Sequence, residues 1–166
     1  MKVIKVLEKI DKKQPARASL MTKIISAFPG TGKTHLAATS ALSILDSDSI
    51  AYSWLSKGVR NPQFPGNYLQ HIKDCIGKTD LILVSSHEQV RRGLVSEGIE
   101  FTLVYPQIEL VEEYLNRYRQ RGSTEEFVSI LNSNWKAWIS DMEQQQGCKH
   151  VRLSSNQYLS DIVDQL

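Results

Sequence analysis

Ala27-Phe28-Pro29-Gly30-Thr31-Gly32-Lys33-Thr34 lies between the apolar pair Ile24-Ile25 and a helix-like segment that begins near Gly32. The stretch reads as a phosphate cradle, in which successive backbone N–H groups wrap the phosphates of a nucleotide and the following helix aims its positive end at the anion. In such a loop the lysine, here Lys33, reaches the terminal phosphates, and the hydroxyl of the next residue, here Thr34, holds Mg²⁺. Gly30 and Gly32 let the main chain come close because they tolerate positive φ. Ala27 stands where the usual pattern has its first glycine, which fits if position 27 closes a strand with negative φ. The nucleotide-binding set is therefore Ala27, Gly30, Thr31, Gly32, Lys33 and Thr34, against the competing reading of a chance loop between strand and helix.

Outward from this loop, strand and helix signals alternate. Lys23 to Ala27 reads as a strand and Gly32 to Ser43 as the first helix. The apolar step Ile44-Leu45 leads into Asp46-Ser47-Asp48, and residues 58 to 67 hold too many turn formers for regular structure. Helical spacing returns from Tyr68 to Ile76. Leu81 to Val84 and Phe101 to Tyr105 are continuous apolar runs of the buried parallel-strand type, separated by a helix from about Glu88 to Glu97. A charged helix from Glu109 to Arg121 ends at Gly122. A longer one runs from about Glu125 to Gln145, anchored by Phe127, Ile130, Leu131, Trp135, Trp138 and Ile139. A strand at Val151 to Leu153, the polar run Ser154 to Gln157 and a short helix close the chain. This rhythm predicts an α/β fold, a three-layer parallel sheet with helices on both faces, whose ligands bind beyond the carboxyl ends of the strands.

Composition sets wider bounds. The length, 166 residues, suits one domain with its own core. Two cysteines, Cys75 and Cys148, carry no metal-ligand or redox spacing, and no stretch is apolar enough to span a bilayer, which together predict a cytoplasmic protein without membrane partners. Residues 1 to 20 carry +4 in a chain of net +2, so the remainder is −2. They are expected to be a basic N-terminal extension, a partly ordered arm, a packed edge element or an upstream start, preceding a phosphate-loop domain at residues 21 to 166. A mildly acidic body is no generic polyanion surface, so nucleic-acid contact must come from local clusters or this arm.

Asp46 and Asp48 are the next signal. A phosphate-loop enzyme needs a carboxylate near Mg²⁺, and because Leu81 to Val84 ends in serines, Asp46 is the candidate. Asp48 lies two residues on and suits taking a proton from an attacking hydroxyl; the plain alternative for both is a solvated turn. Arg117 and Arg121 lie one helical turn apart, fitted to close over a triphosphate, while Arg119 reads as an exposed helix-end cation. Arg60, Asn61, Phe64, Asn67 and Tyr68 mix a cation, amides and aromatics suited to stacking on a base, and equally suited to a packed loop. His87 follows a strand and either touches the acceptor or caps a helix. Asn156 and Gln157 are candidates for adenine contact.

Several blocks taken together carry a resemblance: residues 27 to 34, Leu-Asp-Ser-Asp-Ser at 45 to 49, Arg-Asn-Pro-Gln-Phe-Pro-Gly-Asn-Tyr at 60 to 68, Val-Ser-Ser-His-Glu-Gln-Val-Arg at 84 to 91, and Tyr-Leu-Asn-Arg-Tyr-Arg-Gln-Arg-Gly at 114 to 122. They resemble phage P-loop kinases of the nucleoside-monophosphate-kinase type, closest to the 5-hydroxymethyluracil DNA kinases, over roughly Lys23 to Trp138. Asp46-Ser47-Asp48 also looks like the Asp-x-Asp of shikimate kinases, whose acceptor is likewise an alcohol. The resemblance implies ATP and Mg²⁺, and as acceptor the base hydroxymethyl group within DNA during thymidine hypermodification. On this reading Lys33, Asp48, Arg117 and Arg121 are catalytic, Thr34 and Asp46 serve the metal, and Asp48, Arg60, Phe64, Tyr68 and His87 face the acceptor. The nearest rival is a kinase of free deoxynucleoside monophosphates, with Arg60 and Arg91 on the acceptor phosphate. A nucleotide-binding switch without an acceptor is the other.

Overall fold

The structure is a computed structural model that describes residues 21–166, so the basic extension expected at residues 1 to 20 lies outside the described residues. Five parallel strands form the central sheet: β1 (Lys23–Ala27), β2 (Ile44–Asp46), β5 (Leu81–Ser85), β6 (Thr102–Pro106) and β7 (Lys149–Leu153), in the order β2-β5-β1-β6-β7. β1 is central. The chain first builds the β5 and β2 side and then crosses to β6 and β7, so the loop after β1 sits where the strand order reverses, the position at which open parallel sheets take their ligands.

Side chains alternate across the sheet as a two-residue period requires. Ile24, Ile82, Val84, Leu103 and Tyr105 face one layer, which is built from α3 (Gly66–Cys75), α4 (Glu88–Ser96), α5 (Val111–Gln120) and α6 (Glu125–Glu143). Ile25, Ala27, Leu81, Leu83 and Val104 face the other, covered by Leu36 of α1 (Lys33–Thr39) and Leu159 and Ile162 of α7 (Leu159–Ile162). The expected α/β sheet with helices on both faces is therefore present.

Element boundaries depart from the sequence reading where tertiary pairing intervenes. α1 ends at Thr39 rather than Ser43 because Ser43 already belongs to the edge of the sheet, its N–H donating to Asp80 Oδ2 at 2.7 Å and its carbonyl accepting from Asp80 N–H at 2.9 Å. Residues 58 to 67 are not wholly irregular. After the short α2 (Ile50–Ser53), β3 (Trp54–Ser56) pairs antiparallel with β4 (Val59–Arg60) in a separate hairpin, and α3 starts at Gly66. Phe127, Ile130 and Trp138 were expected to anchor α6, yet all three are partly exposed: Val128, Leu131, Trp135 and Ile139 take the buried face, and Phe127 reaches the layer only through an edge contact with Tyr118 at 5.8 Å.

Trp135 supports the phosphate loop from below. Its ring meets Phe28 edge-on at 5.4 Å and tilts against Tyr114 at 5.4 Å, while its Nε1–H donates to Ile108 O at 2.7 Å. Truncation to alanine empties a large, fully enclosed volume and orphans that carbonyl. We expect Trp135→Ala to lower unfolding free energy by about 3–5 kcal/mol, read from urea denaturation, and Trp135→Phe to recover part of that loss.

Candidate phosphate-loop site

The loop is built by backbone constraints. β1 closes at Ala27, and the next residue, Phe28, donates its N–H to Val104 O at 2.9 Å, so the chain leaves the sheet only at Pro29. Gly30 (φ 85°) and Gly32 (φ 90°) then adopt the left-handed region. A Cβ would also collide or crowd: at Gly30 it would stand 2.9 Å from the Tyr118 ring, and at Gly32 3.2 Å from the Tyr158 ring. Thr31 is buried and its hydroxyl donates to Phe28 O at 2.7 Å, which leaves its backbone rather than its side chain for a ligand.

Lys33 donates to Ala27 O at 2.9 Å and more loosely to Phe28 O at 3.4 Å. Burial lowers its pKa to about 8; Asp46 opposes the shift, Arg121 adds to it and Asp48 opposes it. A sheltered ammonium held only by carbonyl oxygens lacks a counter-charge at contact distance, and an anion in the cradle would supply one. Beside it, Thr34 Oγ1 donates to Asp46 Oδ2 at 3.0 Å, so the hydroxyl and carboxylate expected to serve Mg²⁺ already touch. Among the described residues no group of three or more His, Cys, Asp or Glu side chains converges, and Mg²⁺ does not require one, since it keeps waters and phosphate oxygens as ligands. Thr34 and Asp46 fit the ion.

Asp48 uses Oδ1 to accept from Ile50 N–H at 2.9 Å, fixing the entry to α2. Its charge is felt at Lys33, Tyr68 and His87, so the carboxylate stands near all three. His87 begins α4 without a side-chain capping bond, so the ring is not spent on the helix. Crowding by neighbouring atoms lowers its pKa although the ring still reaches solvent; Arg60 lowers it further, Asp48 opposes, and Lys33 and Arg91 add to the fall. Arg60 is exposed, its guanidinium 4.2 Å over the Trp54 ring.

Three expected roles change. Tyr68 is buried at 0 % exposure and cannot stack on a base; its hydroxyl donates to Ser47 O at 2.6 Å and accepts from Ser85 N–H at 3.3 Å, bridging the ends of β2 and β5, and burial pushes its pKa up to about 12. Phe64 is half-buried and stacks on Tyr68 at 6.2 Å, so at most its edge is available. Arg117 is no free lid: it donates to Gly30 O at 2.9 Å and Gln157 O at 3.3 Å, pairs with Glu113 at 2.6 Å, and lies between the rings of Tyr114 (4.3 Å) and Tyr158 (3.9 Å). It holds the phosphate loop to the segment after β7. Arg121 is different. It is exposed, makes no ion pair among the described residues, lies 4.9 Å over the Tyr118 ring, and acts electrostatically on Lys33.

Glu113, Tyr118 and Tyr158 were missed in the sequence. Tyr118 donates to Pro29 O at 2.5 Å, and Glu113 accepts from Arg117, from Ser155 Oγ at 2.9 Å and from Asn156 N–H at 2.7 Å. Glu113 four residues before Arg117 was a readable ion-pair signal; that the same carboxylate would also fasten Ser155 and Asn156 was not. Gln157 folds its side chain back onto Ser154 N–H at 3.0 Å, so it does not extend freely toward a base, whereas Asn156, with φ 57°, leaves its side chain exposed. Compared with known proteins, the chain matches no protein-family model and no curated protein, and the site is read from its geometry.

Two outcomes follow from these charges. Lys33 has a folded pKa of about 8 against 10.5, so the unfolded chain binds more protons between those values and stability rises with pH there. Lys33→Met should therefore flatten that rise and make the protein more stable at neutral pH by about 1 kcal/mol, read from urea denaturation at a series of pH values. Glu113 goes the other way. Partial burial would raise its pKa, but Asn156 N–H, Ser155 and Arg117 outweigh it and hold it below the usual value, so its contribution is present above the unfolded carboxylate pKa and lost as pH falls through the folded one. Glu113→Gln should lower stability by about 1–2 kcal/mol at pH 7, a gap that closes in acid when melting is followed against pH.

Proposed function

We propose that the protein is an ATP-dependent kinase whose acceptor is an alcohol, the 5-hydroxymethyl group of 5-hydroxymethyluracil in phage DNA. The observation that carries the alcohol assignment is the make-up of the cleft opposite Lys33. It presents the carboxylate of Asp48 and the weakly basic ring of His87, with Arg60 as its exposed cation. A phosphate acceptor is already anionic and calls for paired cations, whereas a hydroxyl gains from a carboxylate that takes its proton. The rival reading, a kinase of free deoxynucleoside monophosphates, needs Arg91 as the second cation. Arg91 is 3 % exposed and spends its donors on Ser86 O at 2.9 Å, Gln145 Oε1 at 2.7 Å and the carboxylate of Asp141. The finer choice of base and of DNA rests on the resemblance in the sequence blocks.

The parallel sheet supports a P-loop kinase of the nucleoside-monophosphate-kinase type, and the chemistry divides among its residues as follows. Residues 27 to 34 would hold the triphosphate through their backbone N–H groups and Lys33. Thr34 and Asp46 would hold Mg²⁺, which would supply positive charge to offset that of the phosphates. Asp48 orients the acceptor hydroxyl and takes its proton as the oxygen–phosphorus bond forms and the bond to the departing diphosphate breaks. Arg121 supplies positive charge to the moving phosphoryl group. Arg117 acts through the loop it holds, as a positioning residue. No helix among the described residues is long and apolar enough to cross a membrane.

Incubation with labelled ATP and either hydroxymethyluracil-containing DNA or free deoxynucleoside monophosphates tests the assignment. Label is expected in the DNA; label confined to mononucleotides would overturn it. Asp48→Asn keeps the Oδ1 contact to Ile50 and should leave ATP affinity nearly intact while lowering transfer about 10²-fold or more. Equal transfer by mutant and parent would remove Asp48 as the base.

A further inference from the structure

The hairpin Trp54–Arg60 is too apolar to stand in water without a purpose. Ile50, Trp54, Leu55 and Val59 fall within ten residues and are 62 %, 38 %, 65 % and 48 % exposed. The hairpin is a separate two-stranded sheet, rooted between Asp48 at one end and Arg60 at the other. Two ties hold its base: Asn61 N–H donates to Ser53 O at 2.9 Å, and Asn67 Nδ2 donates to Tyr52 O at 2.9 Å. Clustered apolar exposure of this kind marks a contact surface.

Charge identifies the occupant. From Ser49 to Ile72 the chain carries Lys57 and Arg60 and no carboxylate, while Lys73 just beyond is paired with Glu97 at 2.8 Å; residues 21 to 166 together are net negative. The acids are concentrated elsewhere, and the exposed apolar segment lies in the cationic stretch. Arg60 lies over Trp54 at 4.2 Å, a pair in which the ring is left partly open and the cation is turned toward the side of the cleft where His87 feels it. An apolar protein partner would not need the cations, and an acidic peptide would not need a row of large apolar side chains. A nucleic-acid strand needs both, because its phosphates bind cations and its bases stack on aromatic and apolar surfaces.

We propose that the Trp54–Arg60 hairpin grips DNA beside the acceptor base: Trp54 stacks on a neighbouring base, Leu55 and Val59 fill the gap left when the acceptor base is drawn out, and Lys57 and Arg60 meet the flanking phosphates. Extruding a base leaves an unstacked hole in the duplex, and apolar side chains that enter such a hole lower the cost of keeping it open. This rests on the reading of the cleft as an alcohol kinase acting on DNA, and names the element that would hold that substrate.

The test uses the full chain and a short fluorescent DNA duplex followed by anisotropy, with calorimetric ATP binding alongside. Leu55→Ser/Val59→Ser changes only exposed side chains, so the fold and ATP affinity are expected to be unchanged while DNA affinity falls about tenfold or more. Lys57→Ala should weaken DNA binding at low salt and reduce the slope of log affinity against log salt by about one unit. The proposal is overturned if the double variant binds the duplex as the parent does, if the parent binds no DNA, or if sedimentation shows a parent dimer that the double variant dissolves without loss of DNA affinity. The two readings fail separately. Binding through the hairpin with no phosphate transferred to hydroxymethyluracil would sink the kinase assignment alone; transfer to DNA at the parent's KM in the double variant would sink the hairpin alone.

Discussion

A lysine ammonium held at the end of the central strand by carbonyl oxygens alone is the constraint on which the rest of the molecule turns. Lys33 points back onto Ala27 and Phe28, and those two carbonyls are available only because β1 ends there with Phe28 N–H already bound to Val104. The depressed pKa measures how incomplete this environment is for a cation. The loop keeps its shape through contacts from several directions: Trp135 under Phe28, Tyr118 on Pro29 O, Arg117 on Gly30 O, and Leu159 N–H on Thr31 O at 3.0 Å. The protein's own contacts thus fix the shape of the cradle, the preorganisation that the proposed stabilisation of a moving phosphoryl group calls for.

The two sides of the cleft differ in charge and in rigidity. On the loop side Arg121 is close enough to Lys33 to disfavour the lysine's charge, a repulsion that a polyanion between them would relieve. On the opposite side Asp46 and Asp48 follow β2, an edge strand of three residues that Tyr68 fastens to β5. A buried phenol bridging Ser47 O and Ser85 N–H fixes where that acidic turn stands relative to His87. The aromatic residue that the sequence offered as a base platform thus sets the geometry of the acid pair from behind.

Sheet, helix layers and phosphate loop were legible because they rest on periodic patterns and on glycine's backbone freedom, both of which are local. The strand at Lys23–Ala27 and the buried runs at Leu81 and Leu103 could be read one segment at a time. The fate of each arginine could not. Arg91, Arg117 and Arg121 look alike in sequence, and what separates them is whether a carboxylate or carbonyl from a distant segment stands within reach: Asp141 and Gln145 for Arg91, Glu113 and Gln157 for Arg117, and neither kind for Arg121 among the described residues. Nor could the hairpin, whose rung pairs Trp54 with Arg60 across a stretch that reads as turn formers.

Stability is unevenly distributed in a way that would suit the proposed phosphoryl transfer to a large acceptor. The loop side is tied into the central strand, both helical layers and the segment after β7, so its opening requires much of the core to open with it. The Asp48 side hangs from an edge strand, a four-residue helix and a hairpin whose second strand has two residues. Few buried contacts mean a small free energy for local rearrangement. On the proposed reading, a base drawn into the site from a polymer would reshape that side while the fixed side kept the transferring group aligned.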